Sequence, residues 1–303
     1  MHRSMPNAYN RYSMAQEKLS ENLLNTIQVS TWNVNGLQEG TKKHKVLYHL
    51  GKWSSDIVFL QELHFKTGQI EFLKRQWVGE AFEATLSSRS RGVGILINKR
   101  LPFKSLSQAT DKYGRYLVLR CEILGELYTL INIYKPPISD LSFLNKIQSV
   151  LDRVPTGIII LGGDLNNIFS SKDSSTPTRK VKPPNKLLNF LSTNDLQDIL
   201  RTLHPNTLDY TYFSHSQNSY NHIDYLFISN KHLGMVLSSK INDIVISDHA
   251  IVSFTLSRKE NVTFNRTWRM NRKYLLDMDF MRCINSNIDL FIEKNVSGTS
   301  RQT

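Results

Sequence analysis

Four short stretches, far apart in the chain, each bring a carboxylate, amide or imidazole to the edge of an apolar run. They are Trp32-Asn33-Val34-Asn35-Gly36, Gln61-Glu62, Gly163-Asp164-Leu165-Asn166 and Ser247-Asp248-His249. Strands of an open α/β sheet deliver side chains at their ends to a shared crevice. Glu, Asp, Asn and His are the groups needed to hold a hard divalent cation and a phosphate under nucleophilic attack. The set reads as one metal-dependent site for phosphodiester hydrolysis. The Asp164-x-Asn166 spacing puts two side chains on the same side of an extended turn, where one can deprotonate a water and the other hold it; an Asx turn would use the same residues structurally. His249 can donate to a phosphate oxygen near neutral pH, and Asp224, in Asn221-His222-Ile223-Asp224-Tyr225, can fix its tautomer.

Each patch has a plainer reading. Turns rich in Asn and Gly are common, acidic residues at strand ends are often merely solvated, and Tyr134 could be a half-buried core aromatic as well as a phosphate contact. What favours chemistry is the conjunction of all four. Competing chemistries lack their signatures: there is no G-x-S-x-G elbow, no H-E-x-x-H helix and no Walker loop, because Gly36 to Lys42 has the wrong spacing.

To position these patches the chain must supply strands. Runs with β character fall at Ile27–Trp32, Asp56–Leu60, Ala81–Leu86, Gly92–Ile97, Tyr116–Ile123, Leu127–Tyr134, Gly157–Leu161, Tyr210–Phe213, Ile223–Ile228, Ile241–Ile246 and Ala250–Leu256. Helical spacing links Val46, Leu47, Leu50 and Trp53. It links Leu144, Ile147 and Leu151 behind a Ser139-Asp140 cap, and Leu187, Leu188 and Leu191 behind Pro183-Pro184. The runs at Val58 and Ile158 are apolar almost throughout, as in strands covered on both faces. The expectation is an α/β fold with large, layered sheets. Residues 1–26 read as a loosely ordered arm with a helical turn near Leu19–Leu24, 27–258 as the folded domain, and 259–303 as the start of a connection carrying one amphipathic helix with Leu275, Leu276, Phe280 and Ile284.

The 303 residues are 40% hydrophobic, enough for a sizeable core. Lys and Arg total 38 against 26 Asp and Glu, a net charge of +12 that suits a polyanionic partner. Two cysteines, Cys121 and Cys283, have no metal-ligand spacing, so a disulfide scaffold or a zinc site is not expected. No apolar stretch is long enough to span a bilayer, and the expected location is intracellular, with no membrane partner. The sequons at Asn261, Asn265 and Asn295 then carry little weight.

In order and context the patches resemble the endonuclease/exonuclease/phosphatase superfamily, and within it the endonuclease domain of LINE-1-type retrotransposon ORF2 proteins. The resemblance covers about residues 27 to 258 and continues weakly into Thr267-Trp268-Arg269. Supporting stretches are Arg91-Gly92-Val93-Gly94-Ile95-Leu96, Leu130-Ile131-Asn132-Ile133-Tyr134, Arg201-Thr202-Leu203-His204-Pro205 and Asp209-Tyr210-Thr211-Tyr212-Phe213-Ser214. The last two point more specifically to the retroelement branch.

The resemblance implies a DNase I-like four-layer α/β sandwich of two mixed β-sheets flanked by helices. It implies that Glu62 binds Mg²⁺ (or Mn²⁺ in its place) with help from Asn33, that Asp164 and Asn166 activate water, and that His249, oriented by Asp224, stabilises phosphoryl charge. Tyr134 would contact the scissile phosphate and Asp248 support the metal or leaving group. Thr211, Ser214, His215, Ser216, Gln217, Asn218, Ser219, Tyr220 and Asn221 would form a hairpin for the minor groove of double-stranded DNA. That loop has no Lys or Arg and would read groove shape better than single bases. Lys172, Arg179, Lys180 and Lys182 could add phosphate contacts or form a solvated basic loop.

One position departs from the pattern. Pro137 stands where the family commonly has Asn, removing an amide donor worth on the order of 10²-fold in rate; Lys135 is the candidate to compensate. The implied activity is a nick in one DNA strand that leaves a 3′-hydroxyl for target-primed reverse transcription in the nucleus, by a monomer. No Tyr-x-Asp-Asp signature occurs, so the reverse transcriptase would belong to a longer parent polyprotein. The rival readings are an abasic-site repair endonuclease and an inactive, co-opted DNA- or protein-binding descendant.

Overall fold

The computed structural model describes residues 26–77, 79–138, 140–176, 181–257 and 278–296. In chain order its elements are β1 (Thr26–Asn33), α1 (Gly40–Lys52), β2 (Ile57–Gln61), α2 (Ile70–Trp77), β3 (Gly79–Ala84), β4 (Val93–Asn98), β5 (Phe103–Thr110), β6 (Tyr116–Ile123) and β7 (Glu126–Tyr134). There follow α3 (Ser142–Leu151), β8 (Ile158–Asp164), α4 (Asn185–Thr193), β9 (Leu196–Asp198), α5 (Ile199–Leu203), β10 (Tyr212–Ser214), β11 (Ser219–Asn221), β12 (Asp224–Ser229), β13 (Val236–Ile241), β14 (Val252–Ser257) and α6 (Met278–Val296). The chain divides into two compact units between residues 262 and 263, and α6 is the described part of the second.

The first unit is built on two six-stranded sheets, ordered β13-β14-β1-β2-β4-β3 and β5-β6-β7-β8-β12-β9. Each is mixed in the same way. One parallel pair sits inside it, β1 with β2 and β7 with β8, and every other pairing is antiparallel. The parallel pairs are the ones joined by helices, α1 and α3, as a crossover requires.

Side chains of period two face opposite ways along each strand, so three cores form. Ile27, Val29, Phe59, Ile95, Leu119, Leu130, Ile160 and Phe254 fill the space between the sheets. Val46, Leu50 and Leu73 of α1 and α2 pack on Trp32, Val58 and Leu60 outside the first sheet. Phe143, Ile147, Leu187 and Phe190 of α3 and α4 pack on Ile131, Ile133 and Phe227 outside the second. The result is the expected four-layer sandwich.

Several details differ from the sequence reading. The strand expected at Ile241–Ile246 lies earlier, at β13. Its pairing with β14 ends where Asn242 donates its backbone N–H to Ile251 O at 2.9 Å, and beyond it Ile244 and Val245 are exposed. In α4 the buried face is Leu187, Phe190 and Leu191, while Leu188 points to solvent. Of the expected α3 cap, Asp140 accepts from Ser142 N at 3.0 Å, and Ser139 lies outside the described residues. So do 1–25, Arg179, Lys180 and 258–277, which hold the N-terminal arm, part of the basic loop, the Thr267-Trp268-Arg269 match and Leu275-Leu276.

Gly162, in β8 two residues before Asp164, faces the first sheet. Its role in the fold is a closer approach between the sheets: a Cβ there would stand 2.5 Å from the ring of Phe59.

Candidate active site

Both parallel pairs end on the same crevice. Asn33 is in register with Gln61, and Tyr134 with Asp164, which in turn pairs with Asp224. Two buried amides lock the sheet ends together. Asn132 of β7 donates to Leu60 O at 2.9 Å and Gly94 O at 2.7 Å, and accepts from Gln61 Nε2 at 2.7 Å. Asn33, fully buried, donates from Nδ2 to Glu62 Oε1 and to Asp164 Oδ2, both at 2.9 Å, so one amide spans a carboxylate from each sheet.

Beyond Asn33 the chain turns through Asn35, with φ of +44°, whose N–H donates to Asn33 Oδ1 at 3.0 Å and whose Nδ2 donates to Asp248 Oδ1 at 3.2 Å. Lys42 Nζ donates to Asn35 O at 2.8 Å. Glu62 follows β2 with φ of +53° and stays 22% exposed on its side chain. Its second oxygen lies 3.2 Å from His64 Nε2, and the Tyr134 phenol stands beside the same carboxylate. Burial, with Glu62 and Asp164 beside it, pushes the Tyr134 phenol far up, so it remains a neutral donor.

The second sheet supplies a more deeply buried group. Asp164 Oδ1 accepts from Asn166 N at 2.8 Å and Oδ2 from Asn166 Nδ2 at 3.1 Å, while the same amide reaches Lys135 O at 3.0 Å. His249 donates from Nδ1 to Asp224 Oδ2 at 2.8 Å, and its carbonyl is held by Trp32 Nε1 at 3.0 Å. Ser247 Oγ donates to Asn33 O at 2.8 Å, tying the last loop to the first strand.

Burial and the neighbouring Asp224 push Asp164 up, towards the protonated form. Burial alone would push His249 down, but Asp224, then Asp164 and Asp248, outweigh it and hold the imidazole at about 9. Asp224 thus favours the charged form of the imidazole, while burial favours the neutral form of the Asp164 carboxyl. Candidate ligand atoms of Asp164, Asp224 and His249 lie within 4.8 Å of one another, so this cluster could also hold a metal ion, and Asp224 Oδ1 is buried without a hydrogen-bond partner.

The structure thus brings together Asn33, Glu62, Tyr134, Asp164, Asn166, Asp224, Asp248 and His249. The hairpin of β10 and β11 joins them: Tyr212 bridges His249 and its ring lies 4.6 Å from the imidazole. Only part of the proposed DNA-reading loop faces outward. His215, Ser216, Gln217, Asn218 and Tyr220 are exposed, with Tyr220 packed on Phe213 at 4.7 Å.

Thr211, Ser214, Ser219 and Asn221 are buried instead. Thr211 Oγ1 accepts the N–H groups of Ile223 and Asp224, at 3.0 and 3.1 Å, and so supports the site from beneath. The Arg201-Thr202-Leu203-His204-Pro205 stretch makes contacts within the fold: Arg201 pairs with buried Asp173, and His204 Nε2 meets Ser239 O of β13 at 3.1 Å. Lys135 is buried and its ammonium lies 3.4 Å from Pro136 O. Sequence reasoning passed over His64, Asn35, Lys42 and Tyr212. Asn35 lay within a quoted patch, and His64 stands two residues after Glu62.

This fold and this site define a hydrolase acting on phosphodiester bonds. The chain belongs to the endonuclease/exonuclease/phosphatase family, whose pattern matches residues 30–249. It is 26% identical over 263 residues to the transposon TX1 uncharacterized 149 kDa protein of Xenopus laevis, covering 85% of this chain and 20% of that protein. The chain thus spans a fifth of that relative's length. Among solved structures, AP endonuclease LMAP from Leishmania major superposes with a TM-score of 0.63 at 16% identity, over 77% of this chain and 88% of that one. The endonuclease domain of TRAS1, a telomere-specific non-LTR retrotransposon, gives 0.59 at 18% identity, over 77% and 100%. At such identities the likeness establishes the fold. No helix among the described residues is long and apolar enough to cross a membrane.

Proposed function

We propose that this chain is a Mg²⁺-dependent endonuclease that nicks one strand of double-stranded DNA. The nick leaves a 3′-hydroxyl for target-primed reverse transcription by another part of a retroelement polyprotein, acting in the nucleus. The observation that carries the reading is the Asn33 amide, which holds Glu62 of one sheet and Asp164 of the other at one crevice.

The donors fit a hard cation. Glu62 is partly exposed and steadied by Asn33 Nδ2, and Asp248, tied to the neighbouring turn through Asn35, adds a second carboxylate. Glu62 and Asp248, with help from Asn33, would hold Mg²⁺, or Mn²⁺ in its place. When bound, the ion supplies Lewis-acid neutralisation of phosphoryl charge.

Asp164, its proton affinity raised, takes the proton of a water held by Asn166. Protonated His249, kept in one orientation by Asp224, donates to the phosphoryl oxygens, and neutral Tyr134 donates to the scissile phosphate. The fixed donors need no rearrangement as charge develops.

The test is nicking of supercoiled plasmid with and without Mg²⁺, followed by mapping of the ends, alongside an abasic duplex. Mg²⁺-dependent nicks in intact DNA ending in 3′-hydroxyls support the proposal. Strong preference for the abasic duplex, the activity named for the Leishmania major neighbour, replaces it with a repair function. DNA retention with no nicking, unchanged in Glu62→Ala and His249→Ala, makes the chain a non-catalytic binder, a reading motivated by Pro137.

A further inference from the structure

We infer that His64 is a positioning residue that fixes the Glu62 carboxylate for a divalent cation, its ring lodged against the bare backbone of Gly36. The inference rests on the metal-dependent reading above and adds residues from outside the ligand set. Three observations meet at this point.

His64 Nε2 lies 3.2 Å from Glu62 Oε2, the oxygen that Asn33 leaves free, so the two carboxylate oxygens are steered from opposite partners. Glu62 and His64 both take left-handed backbone, φ +53° and +54°, with Leu63 between them. That conformation costs energy for a side-chain-bearing residue and persists only where the surroundings impose it. Here it turns both side chains to the same rim. On the other side of the ring, a Cβ at Gly36 would come 2.9 Å from His64 Nδ1. The ring is therefore packed against the backbone of the first loop while its Nε2–H reaches the carboxylate. Gly36 N and Leu37 N in turn donate to Glu62 O at 2.7 Å and Leu63 O at 3.0 Å, so this loop and the Glu62 turn are built as one piece.

Groups that hydrogen-bond a metal ligand set its orientation and basicity, and losing one costs about 10–100-fold in metal affinity. His64 stands in that relation to Glu62. Asn tolerates left-handed backbone as His does, but its amide is too short to span the same gap. His64→Asn therefore separates the contact from the turn, and His64→Gln restores a donor on a longer arm.

The experiment is titration of the full chain with Mn²⁺ alone, by calorimetry, on wild type, His64→Asn, His64→Gln and Gly36→Ala, with melting temperatures recorded for each. The expected result is about 10–100-fold weaker Mn²⁺ binding in His64→Asn at an unchanged melting temperature, with affinity partly recovered in His64→Gln. Gly36→Ala, which crowds the ring and also strains a backbone held at φ of +83°, should weaken binding at least as much and lower the melting temperature. Wild-type affinity in a folded His64→Asn variant overturns the inference, as does a His64→Gln variant no tighter than His64→Asn. If wild type itself binds no Mn²⁺, the metal-dependent reading fails first, and the inference fails with it.

Discussion

The two sheets are assembled alike, each with one helix-linked parallel pair, yet they finish differently at the crevice. The first ends in a turn of left-handed residues with Glu62 partly exposed on the rim; the second ends in Asp164 and Asp224, which are almost completely buried. A rim carboxylate with oxygen neighbours can exchange a cation with solvent at small cost. A buried carboxylate pair beside an imidazole is instead suited to holding a proton in a fixed place, because low dielectric magnifies each charge. On the function proposed above, similar topology serves two chemical tasks, divided by the depth at which its strands stop.

The comparison breaks most visibly if the buried half is altered. Asp164→Asn should lower nicking on the order of 10³-fold, and no excess of Mg²⁺ should restore it; recovery in high Mg²⁺ would make Asp164 chiefly a metal ligand. Glu62→Gln should lose at least what a supporting partner is worth, about 10–100-fold at limiting Mg²⁺, and regain much of it at saturation. A rate curve against Mg²⁺ for the two variants decides whether the division of labour holds.

Proton uptake sharpens the same contrast. His249 is raised from 6.5 to about 9, so the metal-free fold should hold its full contribution below about pH 6.5 and lose it as pH rises through about 9. Melting temperatures of wild type should fall over that interval, and those of His249→Asn should fall less. Equal curves would mean that the imidazole is not charged in the folded protein. The smallest effect belongs to the hairpin: Tyr220→Ala should change DNA affinity within about tenfold while shifting the distribution of nick sites. An unchanged nick map would remove this ring from site choice.

Much of this was readable because buried strands announce themselves. Val58, Phe59, Ile159 and Ile160 could hardly lie anywhere but inside, and the polar residues that end those runs became candidates at once. Elements held by context were harder to see. β5 reads Phe103 to Thr110 with Lys104, Ser105, Leu106, Ser107 and Gln108 all exposed, an edge strand without an apolar face, and it went unseen. α2 did carry a signal, Ile70, Leu73 and Trp77 on one helical face, but it is only eight residues long. In the site, residue types gave Glu62, Asp164 and His249. The ties of Asn35 to Asp248 and of Tyr212 to His249 join residues that only the folded topology brings together.

Ser247 and Trp32 stitch the loop before β14 to β1, and β14 itself pairs with β1 along its whole length. The earliest and latest of the described strands in this unit are therefore neighbours. A chain emerging from the ribosome carries Glu62 and Asp164 long before it carries His249, and it cannot close the crevice until the final strand has been released. If the proposed function holds, a half-made copy would lack the imidazole needed to cut.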